Sequence, residues 1–309
     1  HALSDPDVLL LGEDIADYGG AFRVTRDLWQ CVGGDRVRNT PISESAIVGC
    51  ALGAAMEGLR PVAEIMFMDF LLLALDQLVN HAAKFPRLHD GQMRVPLTVR
   101  TPAGGRRGYG ATHSQCFESM LLSAPDLKVF CPADVQDAWD LLTAAIADDG
   151  PVVVVEHKLL YGQRGRLDPG VAPLAPGKAR ILRPGADLTI VAFSHMTTLA
   201  LEAADALADA GVSAEVIDLR TLAPLDLDTV TESAARTMRL IVAEEGHRTG
   251  GVGAEIAARI QESAFGYLDA PILRVAARDV PVPTEELLER AVLPQVEDLL
   301  TAAQQLLNP

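Results

Sequence analysis

The sequence is poor in basic residues and has no cluster of Lys or Arg. Its 309 residues include 26 basic and 42 acidic side chains, which give a formal net charge of −16 at pH 7. A chain with this charge offers no electrostatic footprint for a phosphate backbone. We therefore expect no nucleic acid among its partners.

Cysteines are few, and long apolar runs are absent. The four cysteines, Cys31, Cys50, Cys116 and Cys131, form no CxxC pair. This spacing argues against a zinc site or a disulfide framework and favours a reducing compartment. No apolar run approaches the roughly 18 residues of a membrane span. We expect a cytoplasmic protein that does not interact with a membrane.

What the first half does contain is an alternation of short apolar runs with amphipathic stretches. Strands are predicted at residues 8–11, 62–66, 96–99, 128–131 and 152–155. Helices are predicted at residues 45–58, 69–84 and 134–147. Strands that alternate with helices of this length indicate crossover units and a parallel sheet covered on both faces.

The second half repeats this alternation after an aperiodic stretch rich in Pro and Gly. That stretch contains Pro169, Pro173, Pro176 and Pro184, which is typical of a linker. Strands follow at residues 188–193, 214–218, 240–244 and 272–275, and C-terminal helices at 284–293 and 296–307. The sequence therefore predicts an α/β fold of two three-layer, parallel-sheet domains, residues 1–165 and 186–309, joined by a linker at 166–185.

Glu44 is the first candidate for chemistry. It precedes a helix made almost wholly of small and apolar residues, so its carboxylate lies beside a surface suited to burial. An acid in the first turn of a helix is favoured by the helix dipole, and a capping carboxylate is one interpretation. A catalytic carboxylate is the other.

His113 is the second candidate. It follows a glycine-rich loop that begins near Thr101 and contains Arg106 and Arg107. The loop matches neither the dinucleotide fingerprint nor the P-loop, so it is weak evidence for phosphate binding. A His beyond a strand of a parallel sheet is well placed for catalysis, because ligands bind outside the carboxyl ends of such strands. The alternative is a His that only caps the next helix.

Eight short segments resemble one family in their order and spacing. They are residues 11–14 (LGED), 41–44 (PISE), 64–70 (EIMFMDF), 113–115 (HSQ), 151–154 (PVVV), 244–247 (EEGH), 251–255 (GVGAE) and 279–283 (DVPVP). The family is the beta subunit of the thiamine diphosphate-dependent component of 2-oxo acid dehydrogenase complexes, a relative of transketolase. The resemblance implies a pyrimidine-binding domain followed by a transketolase-type C-terminal domain.

The resemblance also implies a role for four side chains. Glu44 would bond the aminopyrimidine ring nitrogen of the cofactor, where an acid favours the imino tautomer that removes a proton from the thiazolium carbon. Phe70 would stack on the pyrimidine, and Met66 would help to line its pocket. His113 would face the reacting centre and assist proton movements at the substrate or at a lipoyl disulfide.

Two further sites follow from the resemblance alone. Some members of the family hold a potassium ion with backbone oxygens. The corresponding residues of this sequence are Leu97, Ala145, Ile146, Asp148 and Gly150. Asp269 matches an acidic position that some relatives use to bind the acyltransferase core.

One motif of thiamine diphosphate enzymes is missing. These enzymes usually hold Mg²⁺ and the diphosphate through a Gly-Asp-Gly motif followed by Asn, and no such pair occurs in this chain. The Mg²⁺ and the diphosphate are therefore expected to be bound mainly by another polypeptide, an alpha subunit. The implied assembly is an alpha2beta2 heterotetramer.

The implied function is that of a beta subunit which, with its alpha subunit, decarboxylates a 2-oxo acid and transfers the acyl group to a lipoyl arm of the acyltransferase core. A carboligase of acyloin or transketolase type is an alternative with the same cofactor. A non-catalytic scaffold subunit is a third, against which the joint presence of Glu44, Phe70 and His113 argues. Pyruvate, branched-chain and acetoin types share these motifs, so the substrate stays open.

Overall fold

The computed structural model describes residues 4–168 and 173–308. The chain divides into two units. The first consists of residues 1–103, 120–130 and 134–174, and the second of residues 104–119, 131–133 and 175–309. The loop that carries His113 thus belongs to the second unit.

The first unit is built on a parallel sheet. Its strands are β1 (Val8–Gly12), β2 (Val37–Asn39), β3 (Arg60–Glu64), β4 (Thr98–Ala103), β5 (Lys128–Phe130) and β6 (Val152–His157). They lie in the order β5-β6-β4-β3-β1-β2, and each neighbouring pair is parallel. The four consecutive valines that begin β6 are all buried, as expected for a strand covered on both faces.

The helices from residue 28 to residue 147 cover this sheet or connect its strands. They are α1 (Leu28–Val32), α2 (Glu44–Met56), α3 (Met68–Leu71), α4 (Phe85–Leu88), α5 (Glu118–Leu121) and α6 (Val135–Ala147). In α6, the Asp134 side chain accepts a hydrogen bond of 2.8 Å from the Asp137 backbone N–H, which caps the helix.

The single helix predicted at residues 69–84 is not continuous. The structure has α3, then a 3₁₀ turn at Leu72–Ala74, then a π-helical turn at Gln77–Ala82. The Ala83 backbone N–H bonds the Leu78 carbonyl oxygen, a spacing of five residues. Buried residues still recur every three or four positions here, so the apolar pattern cannot reveal the change in hydrogen bonding.

The second unit has its own sheet. Its strands are β7 (Arg180–Arg183), β8 (Leu188–Ala192), β9 (Ala214–Asp218), β11 (Leu240–His247) and β12 (Leu273–Ala277), whereas the short strand β10 (Thr221–Ala223), which follows β9 in the chain, is not part of this sheet. The sheet has the order β12-β11-β8-β9-β7 and is parallel except for β7, which is antiparallel to β9. Its helices are α7 (His195–Asp209), α8 (Leu227–Thr237), α9 (Val252–Ala264), α10 (Glu286–Val292) and α11 (Val296–Leu307).

The core of the second unit lies between its sheet and the helices α7 and α11. Ile190 and Val216 of the sheet pack in one buried cluster with Ala200 of α7 and Leu299 and Ala303 of α11. No helix among residues 4–168 and 173–308 is long and apolar enough to cross a membrane.

The predicted α/β fold with two parallel sheets is confirmed, with one addition. The antiparallel strand β7 lies within the stretch predicted as a linker. The sequence does not predict this strand, because the Arg-Ile-Leu-Arg run is short and stands between Gly and Pro residues without a recognisable strand pattern. Within that linker, residues 169–172, including Pro169, lie outside the described residues. The predicted domain boundaries themselves stay a prediction.

Candidate active site

Three neighbouring parallel strands bring the candidate residues of the first unit to one edge of its sheet. β1 lies between β2 and β3. The chain leaves β1 at Glu13, reaches Glu44 after β2, and reaches Met66 after β3. The carboxyl edge of a parallel sheet is where α/β folds bind ligands. The structure therefore brings Glu44 and Met66 together at this edge, and Phe70 follows in α3.

Glu44 is the first residue of α2, and it is buried, with 6% of its surface exposed. Within the described ranges, its carboxylate takes part in no hydrogen bond and no ion pair, and Ser43 at the N-cap makes no side-chain cap either. The capping interpretation therefore finds no support in the structure. A buried carboxylate without a protein partner is costly, and its energy improves when a ligand supplies a hydrogen-bond donor.

Glu13 is a second buried carboxylate beside Glu44. Burial raises its pKa, and the negative charges of Glu44 and Asp14 raise it further. The backbone N–H of Ser43 donates a hydrogen bond to Glu13, which acts in the opposite direction. Two neighbouring carboxylates that are both buried favour the uptake of a proton or of a donor group between them. Sequence reasoning did not assign Glu13 a role, although an acid directly after a parallel strand is a usable signal.

The wall of this edge that follows β3 is aromatic. The ring centroids of Phe67 and Phe70 lie 6.1 Å apart at 87°, and Phe22 lies 5.6 Å from Phe67 in a similar edge-to-face contact. The Lys158 ammonium lies 5.2 Å from the centre of the Phe67 ring. Met66 and Phe70 are both partly exposed. They thus offer apolar surface to a planar ring, while Phe67 is held among its aromatic neighbours.

A buried ion network fixes the strands behind this wall. Arg100 of β4 binds the carboxylate of Glu64, the last residue of β3, and that of Glu156 in β6. Tyr161 donates a hydrogen bond of 2.5 Å to Glu156 and lies 3.2 Å from the Arg100 guanidinium. Burial raises the pKa of Glu64, and the Arg100 charge lowers it. Sequence reasoning missed this network, because charged residues on a predicted inner strand gave no indication of their partners.

His113 lies near the end of a closed loop in the second unit. The Gly104 backbone N–H donates a bond of 3.4 Å to the Gln115 carbonyl oxygen, which closes the base of the loop. The Thr112 hydroxyl lies 2.9 Å from His113 Nδ1. The His113 side chain is partly exposed, as a residue that meets a substrate must be. The loop follows β4 in the chain, and the next helix, α5, begins only at Glu118.

A cluster of buried acids lies in the second unit. Burial raises the pKa of Glu118 to about 8, and the charges of Glu244 and Glu245 add to the shift. Burial also raises the pKa of Glu244 to about 7, although its carboxylate accepts hydrogen bonds from the backbone N–H groups of Gly253 and Val252 at the start of α9. With a pKa of about 8, the Glu118 carboxyl keeps its proton at neutral pH.

Four of the five carbonyl groups assigned to potassium already accept hydrogen bonds. Arg60 Nη1 lies 3.1 Å from the carbonyl oxygens of both Ile146 and Asp148. The Leu97 carbonyl accepts a bond from the Val152 N–H and the Ala145 carbonyl one from the Asp148 N–H, whereas Gly150 donates its own N–H to the Asp148 carboxylate. The Arg60 guanidinium therefore competes with a potassium ion for two of the five positions, and the potassium site stays a prediction.

Asp269 lies on the surface of the second unit and is about half exposed. Its carboxylate is 3.6 Å from the Arg239 guanidinium, and its backbone N–H bonds the Met238 carbonyl oxygen. It is accessible to a partner, and its use in docking stays a prediction. Among the described residues, no group of three or more His, Cys, Asp or Glu side chains is arranged to hold a metal ion.

Comparisons with known proteins match both units. Residues 2–163 match the family described as "Transketolase, pyrimidine binding domain", and residues 177–299 match "Transketolase, C-terminal domain". The chain is 46% identical to pyruvate dehydrogenase E1 component subunit beta-1 of Arabidopsis thaliana, over 97% of this chain and 84% of that protein. It is 44% identical to the E1 subunit beta of Homo sapiens, over 98% and 86% of the two chains.

A solved structure agrees with these matches. A split-gene transketolase, described as an inactive beta4 tetramer, superimposes with a TM-score of 0.80 at 26% identity. The superposition covers 99% of this chain and 95% of that one.

Proposed function

Because the chain belongs to the family of pyruvate dehydrogenase E1 beta subunits, we propose that it forms the pyrimidine half of an active site for pyruvate, with Glu44 as its central acid. The family membership makes it the beta subunit of a 2-oxo acid dehydrogenase that depends on thiamine diphosphate. The identity of the 2-oxo acid, the partners and the roles of individual residues belong to the proposal.

The observation that carries the proposal is the state of the Glu44 carboxylate. It is buried at the carboxyl edge of the sheet, lies next to the carboxylate of Glu13, and has no hydrogen-bond partner among the described residues. A protonatable ring nitrogen would supply the missing donor and relieve the repulsion between the two acids. The residues present therefore fit an aminopyrimidine.

Each side chain of the first unit then has a distinct task. Thiamine diphosphate, when bound, supplies the carbon nucleophile and the electron sink that decarboxylation requires. Glu44 holds a proton at the pyrimidine nitrogen, and Phe70 and Met66 give the ring an apolar surface to pack against. Glu13 keeps a second acid beside Glu44, which favours a shared proton.

His113 has its task at the substrate. Its imidazole is partly exposed and can donate or accept a proton at the oxygen of the 2-oxo acid or at a lipoyl sulfur. We assign the acyl transfer to a lipoyl arm of an acyltransferase core. The alpha subunit of an alpha2beta2 heterotetramer would supply the Mg²⁺ and diphosphate half of the site, since neither the sequence nor the described residues offer it.

The test is a calorimetric titration of thiamine diphosphate with Mg²⁺ into the chain alone and into the chain assembled with its alpha subunit. We expect binding only in the assembly. Turnover of pyruvate and of branched-chain 2-oxo acids, with and without a lipoylated acceptor, then identifies the substrate and the fate of the acyl group. Tight binding to the lone chain would overturn the shared site, and an acyloin product formed regardless of lipoate would identify a carboligase.

A further inference from the structure

The guanidinium of Arg106 is held at three points within the second unit. Its Nε donates a bond of 2.7 Å to the Glu245 carboxylate in β11. Its Nη2 lies 2.5 Å from the Pro294 carbonyl oxygen, and its Nη1 lies 3.5 Å from the side-chain oxygen of Gln295. Charge-assisted bonds spread over one planar guanidinium fix its orientation as well as its position.

The backbone around Arg106 is held by the same kind of partner. The Arg106 and Gly108 N–H groups donate to the two oxygens of the Glu289 carboxylate in α10, at 2.7 Å and 3.1 Å. The Gly105 N–H donates a bond of 2.8 Å to Glu245. Glu245 and Glu289 are both buried. Two buried carboxylates thus accept four bonds between them from one short stretch of loop and its arginine, and the charge of Glu245 is matched by that arginine.

Close packing leaves the loop little freedom at this point. A Cβ atom on Gly105 would lie 2.6 Å from a methyl group of Leu293, and one on Gly110 would lie 2.5 Å from Thr284. Arg106 itself has a φ of 68°, in the left-handed region that disfavours an L side chain. A glycine would suit this backbone better, so the contacts of the arginine side chain must offset the strain.

The other end of the loop is less constrained. Thr112 is exposed and His113 is partly exposed. The His113 N–H bonds the Gly110 carbonyl oxygen at 3.3 Å, and the bond from the Gly104 N–H to the Gln115 carbonyl oxygen joins this end of the loop to its anchored start. The loop therefore has an anchored half, residues 104–108, and an exposed half that carries the candidate acid-base group. The position of the anchored half therefore determines the position of His113.

We propose that Arg106 is a positioning residue for His113, which it places by fixing the anchored half of the loop to Glu245 of β11 and to the segment around Pro294. This inference rests on the proposed function, because it assumes that His113 acts on the substrate. The anchoring itself is independent of that assumption and can be measured without turnover.

The first measurement is hydrogen exchange of the loop in the chain assembled with its alpha subunit. We compare Arg106→Gly, which removes the guanidinium and relieves the backbone, with Arg106→Lys, which keeps a charge that can reach Glu245. Exchange at the amides of Gly105, Arg106 and Gly108 should accelerate at least tenfold in Arg106→Gly and less in Arg106→Lys. The matched control is Arg290→Ala, which removes an exposed ion pair to Glu297 from the same helix as Glu289.

The second measurement is turnover. In Arg106→Gly, kcat for the 2-oxo acid should fall about tenfold, while the affinity for thiamine diphosphate stays unchanged because Glu44 and Phe70 belong to the first unit. Arg106→Lys should recover part of the loss. Combining Arg106→Gly with His113→Ala should lower kcat no further than His113→Ala alone, since the arginine then has nothing left to position.

The outcomes separate the two ideas. Loop amides that stay as protected in Arg106→Gly as in the unaltered chain would overturn the anchoring, and a double variant whose losses multiply would overturn the link to His113. If His113→Ala alone turns over normally, the catalytic role of His113 fails, whereas faster exchange in Arg106→Gly would still establish the anchor. A lower melting temperature with unchanged loop exchange and kcat would make Arg106 only a structural residue.

Discussion

Glu13 and Glu44 place two buried carboxylates side by side at the carboxyl edge of neighbouring parallel strands. Within residues 4–168 and 173–308, the repulsion between them is offset by one backbone N–H, which Ser43 donates to Glu13. Repulsion between buried charges is typical of functional sites, because a bound ligand can relieve it.

Replacing Glu44 by Gln should abolish most of the activity. Glutamine keeps the shape of the side chain but cannot hold the proton, so we expect decarboxylation by the assembled protein to fall at least about 100-fold. The melting temperature should stay equal or rise, because the repulsion with Glu13 disappears. Glu57→Gln, at the exposed C-terminal end of the same helix, is the matched control. Near-normal turnover in Glu44→Gln would remove Glu44 from the mechanism.

Replacing Phe70 by Ala should weaken cofactor binding. The loss of a stacking ring costs about 1 kcal/mol beyond the buried area, so the Kd for thiamine diphosphate in the assembled protein should rise roughly tenfold. Calorimetric titration measures this directly. Phe265→Ala, a residue 70% exposed in the second unit, should leave the Kd unchanged. An unaltered Kd in Phe70→Ala would show that the ring does not stack there.

Replacing Arg100 by Met should destabilise the first unit. The change leaves the buried carboxylate of Glu64 and the partly buried carboxylate of Glu156 without their cation, at a cost of about 3–5 kcal/mol. A clear fall in melting temperature is therefore expected. In Arg87→Ala the lost partner is Asp126 and the side chain of the arginine is 76% exposed, so the change should lower the melting temperature far less. Equal effects of the two variants would refute a stabilising role for the network.

Stability should decrease as the pH rises from about 5 to 8. The pKa of Glu118 is raised by burial to about 8, so the folded protein keeps a proton in this range that the unfolded chain releases. The expected loss is on the order of 3 kcal/mol. Melting temperatures across this pH range should decline in the unaltered chain and be flatter in Glu118→Gln. Glu262→Gln, exposed on α9, should keep the original slope; a slope unchanged in Glu118→Gln would exclude this residue as the cause.

Potassium should not stabilise this chain more than sodium does. The Arg60 guanidinium already bonds the carbonyl oxygens of Ile146 and Asp148. Melting temperatures in KCl and NaCl at equal ionic strength should therefore agree. A melting temperature of the unaltered chain that is higher in KCl than in NaCl would show that the ion binds despite the arginine.

The sequence predicts the fold and family well, and the reasons are local. The strands β1, β6 and β8 have clear apolar runs and the helices α6 and α11 have clear amphipathic patterns, and the predicted bounds of all five agree with the structure to within about two residues. The family inferred from segments such as residues 41–44 and 113–115 is confirmed by matches along both units. The edge strands β2 and β7 are not predicted, because Val-Arg-Asn and Arg-Ile-Leu-Arg mix apolar with polar residues and show neither an apolar run nor a clear alternation.

The candidate site is predicted only in part. The sequence singles out Glu44, Met66, Phe70 and His113, and their roles stay predictions that the experiments above address. It does not single out Glu13, whose significance depends on the burial of Glu44 beside it. Nor does it reveal that Arg106 contacts Glu245, because the two are separated by 139 residues and meet only in the folded chain. Long-range ionic contacts leave no periodic trace in a sequence.

The edge strand β7 has a consequence for self-association. An open strand edge is a template on which strands from other molecules can add. β7 ends the second sheet with an arginine at each end, Arg180 and Arg183, and Arg183 is paired with Asp205. A strand from another molecule that paired with β7 would have to remove the charges of Arg180 and Arg183 from water, although the side chain of Ile181 between them is 43% exposed. The antiparallel strand therefore protects the sheet of the second unit against edge-to-edge aggregation, which matters most while the chain awaits its partner subunit.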